Sequence, residues 1–426
     1  MFKKYVIFIL IIINSFYKFN CSVTSKDTIF TTIIFRHGDR TPILQYPTDP
    51  NANYSLWTSL GPGQLTNRGK SQHFALGQWL RERYARLLSQ HYRFDEVYIH
   101  STDVDRTIMS ALSNLAGLFP PSADDVWSGV HDWQPIPVHT IPDYADNILA
   151  GSKKCPKYEY EFNKTMESPI FRKINEKNQQ LYAYITEHAE KNINSLVDLS
   201  YFYDTLFIND LYNLTLPNWT QPIYPNPLKQ WSSISFEVQC FTKTLQRLKI
   251  GLLFNEMIER MFSKIHNSLN PNRNMWIYSA HDTTISNVLM GLNLYNFISP
   301  PYASALMFEL QKRNDSFGIS IYFKNETLND QPYLLKLPNC DEFCEINEFQ
   351  RILKPILLTP AQWEEECQLG ILNNFNDMDS TSVLVIMSGI IVIILLIASV
   401  AIALAYMNKN EYTTNKFYFR LDGNEN

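Results

Sequence analysis

Apolar positions along the chain change period several times, and each change marks a different kind of element. At the start, Lys3 and Lys4 precede an uncharged apolar run over residues 5–13, followed by small and polar residues around Cys21 and Ser22. That run is too short to span a bilayer, so residues 1–22 are predicted to be a secretory signal peptide. Residues 383–407 (VLVIMSGIIVIILLIASVAIALAYM) contain no charge. Their length and lack of a polar face predict a transmembrane helix rather than a core helix.

Between these ends, three short β-branched or aromatic runs stop abruptly in polar residues. Residues 29–35 (IFTTIIF) run into Arg36-His37-Gly38-Asp39-Arg40-Thr41-Pro42, residues 97–99 (VYI) into His100-Ser101-Thr102-Asp103-Val104-Asp105-Arg106, and residues 275–278 (MWIY) through Ser279 and Ala280 into His281-Asp282. After Gln64-Leu65-Thr66 the period becomes helical, with Phe74, Gly77, Leu80, Tyr84, Leu87 and Leu88 on one stripe and Arg81, Glu82 and Arg86 between. Strand–helix–strand alternation predicts an α/β fold with a mainly parallel central sheet flanked by helices. Open parallel sheets bind ligands beyond the carboxyl ends of their strands, so three neighbouring strands would bring the three polar tips together.

Residues 142–269 break this rhythm. They are rich in Tyr, Asn, Lys and Glu and hold helical runs over 179–193 and 236–265. They are expected to form a mostly helical cap, inserted into a core domain made of residues 23–141 and 270–370. The whole domain would span 23–380.

Charge adds topology. Glu364, Glu365, Glu366, Asp377 and Asp379 precede the apolar span, while Lys409, Lys416 and Arg420 follow it. The positive-inside rule then makes residues 408–426 a cytoplasmic tail and the chain a single-pass type I membrane protein, its bulk lumenal or extracellular. A net charge of −5 argues against a nucleic acid partner. Sequons at Asn53, Asn163, Asn213, Asn218, Asn314 and Asn325 suit an exported glycoprotein. Outside the leader lie Cys155, Cys240, Cys340, Cys344 and Cys367, an odd number, so at least one is unpaired or bridges to another chain. Zinc is not expected, because Cys340 and Cys344 have no second close Cys or His pair and an oxidising lumen favours disulfides.

The tips define a chemistry. Arg36 and Arg40 are fixed-charge forks for phosphate oxygens, and a helix starting near Thr41-Pro42 would aim free N–H groups at an anion. Gly38 would allow close backbone approach. His37, between cations, should have a lowered pKa and act as a neutral nucleophile that takes up phosphate. Arg106 would add a third guanidinium and His281 a further donor. Asp282 would protonate the leaving alkoxide, which predicts an acidic optimum, and then activate water. No metal or other cofactor is required. Singly, each residue has a plainer use: Asp282 as a helix N-cap, His281 as a structural histidine, the arginines as surface ion-pair partners. Their conjunction on three tips favours the site.

Phe35 to Pro42 (FRHGDRTP), Gly63-Gln64-Leu65-Thr66 with Gly69 and Gln72, Ser101 to Ser110 (STDVDRTIMS), Trp133 to Thr140 (WQPIPVHT) and Tyr278 to Thr284 (YSAHDTT) resemble the histidine acid phosphatases, particularly the lysosomal and prostatic kinds. The resemblance spans nearly the whole ectodomain. It implies the histidine phosphatase fold, hydrolysis of phosphate monoesters, phosphate binding by Arg36, Arg40, Arg106 and His281, and catalysis by His37 and Asp282. It further implies disulfides Cys155–Cys367 and Cys340–Cys344, and a homodimer with Trp133 and His139 at its interface. A third family cysteine pair is absent, with Ile208 and Ala305 near its places, and Cys240 has no counterpart. His100 stands where relatives carry arginine. Tyr418-Phe419-Arg420-Leu421 resembles the tail signal of the lysosomal enzyme, implying a sorting adaptor as partner and a lysosomal or cell-surface address. Related specificities remain open, a phytase or lysophosphatidate phosphatase with the same catalytic residues, as does a non-catalytic surface glycoprotein on the same fold.

Overall fold

A computed structural model describes residues 26–122, 125–127, 129, 133–325, 331–368 and 380–421. The expected signal peptide, residues 1–22, lies outside them. The chain divides into two units, one ending at Cys367 and one beginning at Gln368.

In the first unit, strands β1 (Thr28–Arg36), β2 (Val97–Thr102), β3 (His139–Ile141), β4 (Met275–Ala280), β5 (Ala305–Arg313), β6 (Ser316–Lys324), β7 (Tyr333–Leu335) and β8 (Cys344–Glu345) form one sheet. Its order is β3-β2-β4-β1-β5-β6-β7, with β8 paired to β6. The helices are α1 (Ser55–Leu60), α2 (Asn67–Arg83), α3 (Asp105–Leu118), α4 (Pro156–Met166), α5 (Pro169–Ala189), α6 (Leu196–Leu211), α7 (Leu228–Ser235), α8 (Lys243–Ile265), α9 (Asp282–Gly291), α10 (Ile346–Leu353) and α11 (Pro360–Glu366).

The three expected strands are parallel neighbours: β4 lies between β1 and β2 and runs parallel to both, so all three tips leave one edge of the sheet. The other half is antiparallel, β5 against β1 and then β6 and β7, giving a mixed sheet. β6 must reverse on β5 because only Asn314-Asp315 joins them, closed by the Arg313–Ser316 pair.

β1 is buried along nearly its whole length because helices cover both faces. Phe30 and Ile34 pack on one side with Leu253, Phe254 and Met257 of α8 and Ile285 of α9. Ile33 and Phe35 pack on the other with Leu76 and Leu80 of α2 and Leu115 of α3. The buried stripe of α2 thus runs through Leu76, Trp79 and Leu80, while Phe74 points outward at 43% exposure.

Helices α4–α7 form the insertion, with a core of its own that includes Tyr182, Ile185, Phe202 and Leu206 and receives Tyr46 from the core domain. α8, which lies within the expected cap 142–269, turns its apolar face to the core beneath the sheet. No helix starts at Thr41-Pro42. Residues 41–54 are irregular, with Arg40 forming an isolated bridge to Leu65 and Thr41 N–H donating to Gln64 O at 3.0 Å.

Cys155 is bonded to Cys367, joining the start of α4 to the end of α11, and Cys340 is bonded to Cys344. Cys240 is a buried free thiol.

The second unit contains α12 (Ser380–Leu421), within which residues Met387–Tyr406 are long and apolar enough to cross a membrane.

Candidate active site

The three tips meet. β1 ends at Arg36, and the backbone of His37 is held from two sides: its N–H donates to Ala280 O at 3.0 Å, and its carbonyl accepts from Ala303 N–H at 3.1 Å. Gly38 N–H donates to Ser110 Oγ on α3 at 3.1 Å. Gly38 does need to be glycine, though the neighbour it admits is protein. A Cβ there would sit 2.4 Å from Gly69 O, and one on Gly69 would sit 2.2 Å from Asp39 O, so the first turn of α2 lies directly on the loop that follows β1. Thr66 caps that turn, accepting from Gly69 N–H at 3.1 Å and donating to Asp39 Oδ2 at 2.5 Å.

His37 Nδ1 lies 2.8 Å from Gly38 O. A carbonyl can only accept, so in the neutral imidazole Nδ1 carries the proton and Nε2 keeps its lone pair. Burial, then Arg36, Arg106, Arg40 and His281, hold the His37 pKa well below the ordinary value. The expected effect of neighbouring charge is present, and desolvation is the largest single cause.

Each arginine of the β1 tip already has a carboxylate partner. Arg36 Nη2 lies 2.8 Å from Asp282 Oδ2, its Nη1 donates to Pro300 O at 2.7 Å, and its guanidinium sits 4.2 Å over the Tyr302 ring. Arg40 makes a two-pronged pair with Asp204 of α6, at 2.9 Å from Nη1 and 3.2 Å from Nη2. Arg106, in the first turn of α3, is half-buried near these cations, and desolvation followed by Arg40 lowers its pKa to about 10.

His281 is the N-cap of α9 and Asp282 its first helical residue, so Asp282 is not the cap itself. One Asp282 oxygen accepts from Thr283 N–H at 2.8 Å and the other faces Arg36. Burial alone would raise the Asp282 pKa, but Arg36, Arg40 and His281 outweigh it and hold the carboxyl below its usual range. The hydroxyls beyond His281 fix its tautomer. Nε2 lies 3.0 Å from Thr102 Oγ1, which lies 2.8 Å from Thr107 Oγ1, which donates to Val104 O at 2.7 Å. With Thr107 donating outward, Thr102 donates to Thr107 and accepts from Nε2–H. His281 Nδ1 then presents a lone pair toward Arg106 Nη2 at 3.5 Å. In this arrangement His281 Nδ1 is turned toward Arg106. Burial, then Arg106, lowers its pKa to about 3.

These groups open into a cavity of about 1020 Å³ between the core and the insertion. Its outer wall includes Ile43, Val104, Val197, Tyr203, Phe207 and Leu211, with Arg68 and Lys229 as further cationic side chains among the described residues. Sequence reading missed Asp204 and Tyr302. Neither has a local motif that distinguishes it, since each reaches the site through folding of a distant segment. Among the described residues no group of His, Cys, Asp and Glu is arranged to hold a metal.

The remaining candidates lie elsewhere. Trp133 is 39% exposed, and His139, on edge strand β3, is exposed and stacked on Tyr98 with ring centroids 4.7 Å apart. Asn53, Asn163, Asn213, Asn218 and Asn314 are exposed and Asn325 is half-buried. Tyr418 and Leu421 fall in the last turns of α12.

The family profile of the histidine phosphatase superfamily (branch 2) matches residues 29–324, and the chain belongs to this family. Among its relatives, human prostatic acid phosphatase is 37% identical over 358 residues, covering 83% of this chain and 91% of the relative. Human lysosomal acid phosphatase is 38% identical over 348 residues, covering 80% of each. The resemblance read from the motifs is therefore borne out, and the expected enzyme class, a phosphoric monoester hydrolase of the acid phosphatase type, is the one these relatives carry. The phytase of Citrobacter braakii shares the fold, with a TM-score of 0.59 at 17% identity over 81% of this chain and all of that one.

Proposed function

We propose that the chain is an acid phosphatase that hydrolyses phosphate monoesters through a phosphohistidine on His37, with Asp282 as the proton donor. The observation that carries this reading is the bond from His37 Nδ1–H to Gly38 O, which leaves a bare Nε2 in a buried setting surrounded by Arg36, Arg40 and Arg106. The Nε–H groups of all three arginines are buried without an acceptor, as suits a site awaiting a tetrahedral oxyanion.

In the first step Nε2 attacks phosphorus, the bond from phosphorus to the ester oxygen breaks, and that oxygen takes the Asp282 proton. In the second, the Asp282 carboxylate takes a proton from water, whose oxygen displaces Nε2 and releases phosphate. The guanidinium groups hold the equatorial oxygens throughout, Arg106 oriented by His281. Asp282 is ionised in the free protein, paired to Arg36. A phosphate group settling on Arg36 removes that counter-charge and adds a negative one, which raises the Asp282 pKa and loads the acid. An acidic optimum follows.

The cavity lining mixes apolar side chains such as Ile43, Val197 and Phe207 with Arg68, Lys229 and several serines, which suits an amphiphilic leaving group. Secretion, anchoring by α12 with the enzyme domain lumenal or extracellular, glycosylation at the exposed sequons, dimerisation through Trp133 and His139, and sorting to lysosomes through Tyr418 and Leu421 complete the proposal. The test is turnover of a chromogenic phosphomonoester at acidic pH by wild type and His37→Ala. Loss of at least about 10³-fold is expected, and equal rates would refute the reading.

A further inference from the structure

Arg36 and Arg40 each meet an aspartate that comes from outside the β1 loop: Asp282 takes one Nη of Arg36, whose other Nη donates to Pro300 O, whereas Asp204 takes both Nη atoms of Arg40. The first aspartate belongs to the reaction as proposed above. The second has no assigned part, although it lines the same cavity and is only 21% exposed.

The stereochemistry of the Arg40–Asp204 pair is specific. A guanidinium presents two forks, one between Nη1 and Nη2 and one between Nε and Nη2. Asp204 occupies the first with both oxygens, and Nη1 also donates to Thr41 O at 3.2 Å. Nε has no acceptor. One fork is thus fixed to the insertion, and the other keeps two N–H groups for a ligand. An unclamped arginine has many rotamers, and two parallel charge-assisted bonds select one of them.

We propose that Asp204 is a positioning residue for phosphoryl transfer: it clamps the end fork of Arg40 so that the Nε–Nη2 fork faces the transferring group, tying the helical insertion to the phosphate site. The proposal rests on the reading of His37 and Arg40 given above. Asp204 does not touch substrate, and its effect passes through Arg40. Without it Arg40 keeps its charge and still attracts phosphate, but no longer aims its donors at the oxygens where charge develops. The loss therefore falls on kcat more than on ground-state binding. A second effect is electrostatic. Asp282 faces Arg36, Arg40, Arg106, His281 and Tyr295, and Asp204 faces Arg40, Tyr203 and Tyr302. Removing the Asp204 charge leaves Arg40 uncompensated beside Asp282, which lowers the pH at which the acid loses its proton.

The experiment compares the full chain in detergent as wild type, Asp204→Asn and Asp204→Glu. Active sites are counted by phosphoenzyme trapping, so that misfolded protein does not enter kcat. In Asp204→Asn, kcat per labelled site is expected to fall about 10-fold or more. Inorganic phosphate is expected to inhibit no more weakly than in wild type, and the alkaline limb of kcat to move to lower pH. Asp204→Glu, which keeps the charge, is expected to keep the limb. A purely structural role would lower the number of labelled sites, leaving kcat per site and the limb unchanged. A kcat within about twofold of wild type with an unmoved limb overturns the proposal. If Asp204→Asn gives no folded protein, Asp204→Ser is read by the same quantities. Should wild type fail to label or turn over, the reading of the site fails; should wild type behave as expected and Asp204→Asn match it, the clamp alone fails.

Discussion

Replacing Gly69 with alanine probes how the catalytic loop is held. The added Cβ would lie 2.2 Å from Asp39 O, 2.8 Å from Asp39 N and 2.7 Å from Leu65 Cδ1, so loop and helix must part by roughly 1 Å to reach ordinary contact. The loop has little room to retreat, because His37 N–H is bonded to Ala280 O and Gly38 N–H to Ser110 Oγ. Overpacking of this kind costs about 1–3 kcal/mol, which for a domain of this size lowers Tm by about 1–4 °C. A misplacement near 1 Å in the residues flanking the nucleophile is expected to lower kcat/KM by about 10²-fold. Gly251→Ala supplies the control. Its Cβ would lie 2.2 Å from Ile356 O, an equally severe clash with none of the site residues among its near neighbours. Both variants should lose comparable Tm in detergent-solubilised protein, and Gly69→Ala alone should lose kcat/KM. If Gly69→Ala loses Tm yet keeps kcat/KM within about threefold of wild type, contact with α2 is not what positions His37 and Arg40.

Asp282→Asn removes the acid but not the nucleophile. Turnover of alkyl phosphates should fall by about 10²–10⁴-fold, and turnover of a nitrophenyl ester, whose leaving group needs little protonation, by distinctly less in the first step; equal losses would argue against a proton-donor role. Because Arg36 depresses the Asp282 pKa in the free protein, phosphate binding should raise it and take up a proton. The pKa is higher in the complex, so this contribution to affinity is full below the free-protein pKa and is lost as pH rises through the complex pKa. Calorimetry at about pH 5 in buffers of different ionisation heat should detect the uptake in wild type and not in Asp282→Asn. The buried His37 and His73 and the half-buried His281 all have lowered pKa values, so the unfolded chain binds more protons and stability should fall as pH drops below about 6.5. Tm measured from pH 7.5 downward should decline, and inorganic phosphate should oppose the decline; a Tm that rises over that range would contradict the assignment of neutral buried imidazoles.

The parallel half of the sheet and the six expected site residues were legible because β1, β2 and β4 are short apolar runs that stop abruptly in charged residues, a local signal. The antiparallel half was less legible, because the Asn314-Asp315 connection lacks the glycine that marks a two-residue hairpin in sequence. α8 was assigned to the insertion because its sequence follows the insertion's helices, whereas its membership of the core depends on what its apolar face meets. Gly38 was recognised as a close-approach residue, but the partner, Gly69, lies 31 positions away and only the fold identifies it. Asp204 and Tyr302 were invisible for a similar reason. An aspartate in an amphipathic helix and a tyrosine in a Pro-rich loop look ordinary until the chain brings them to Arg40 and Arg36.

The covalent step itself can be observed. Full-length protein is mixed with a ³²P-labelled monoester at acidic pH, quenched in alkali, where phosphohistidine survives and acyl phosphates do not, and digested. The account predicts label on the one peptide containing His37, with none in His37→Ala. Label on any other peptide, or sustained turnover by His37→Ala, would contradict it.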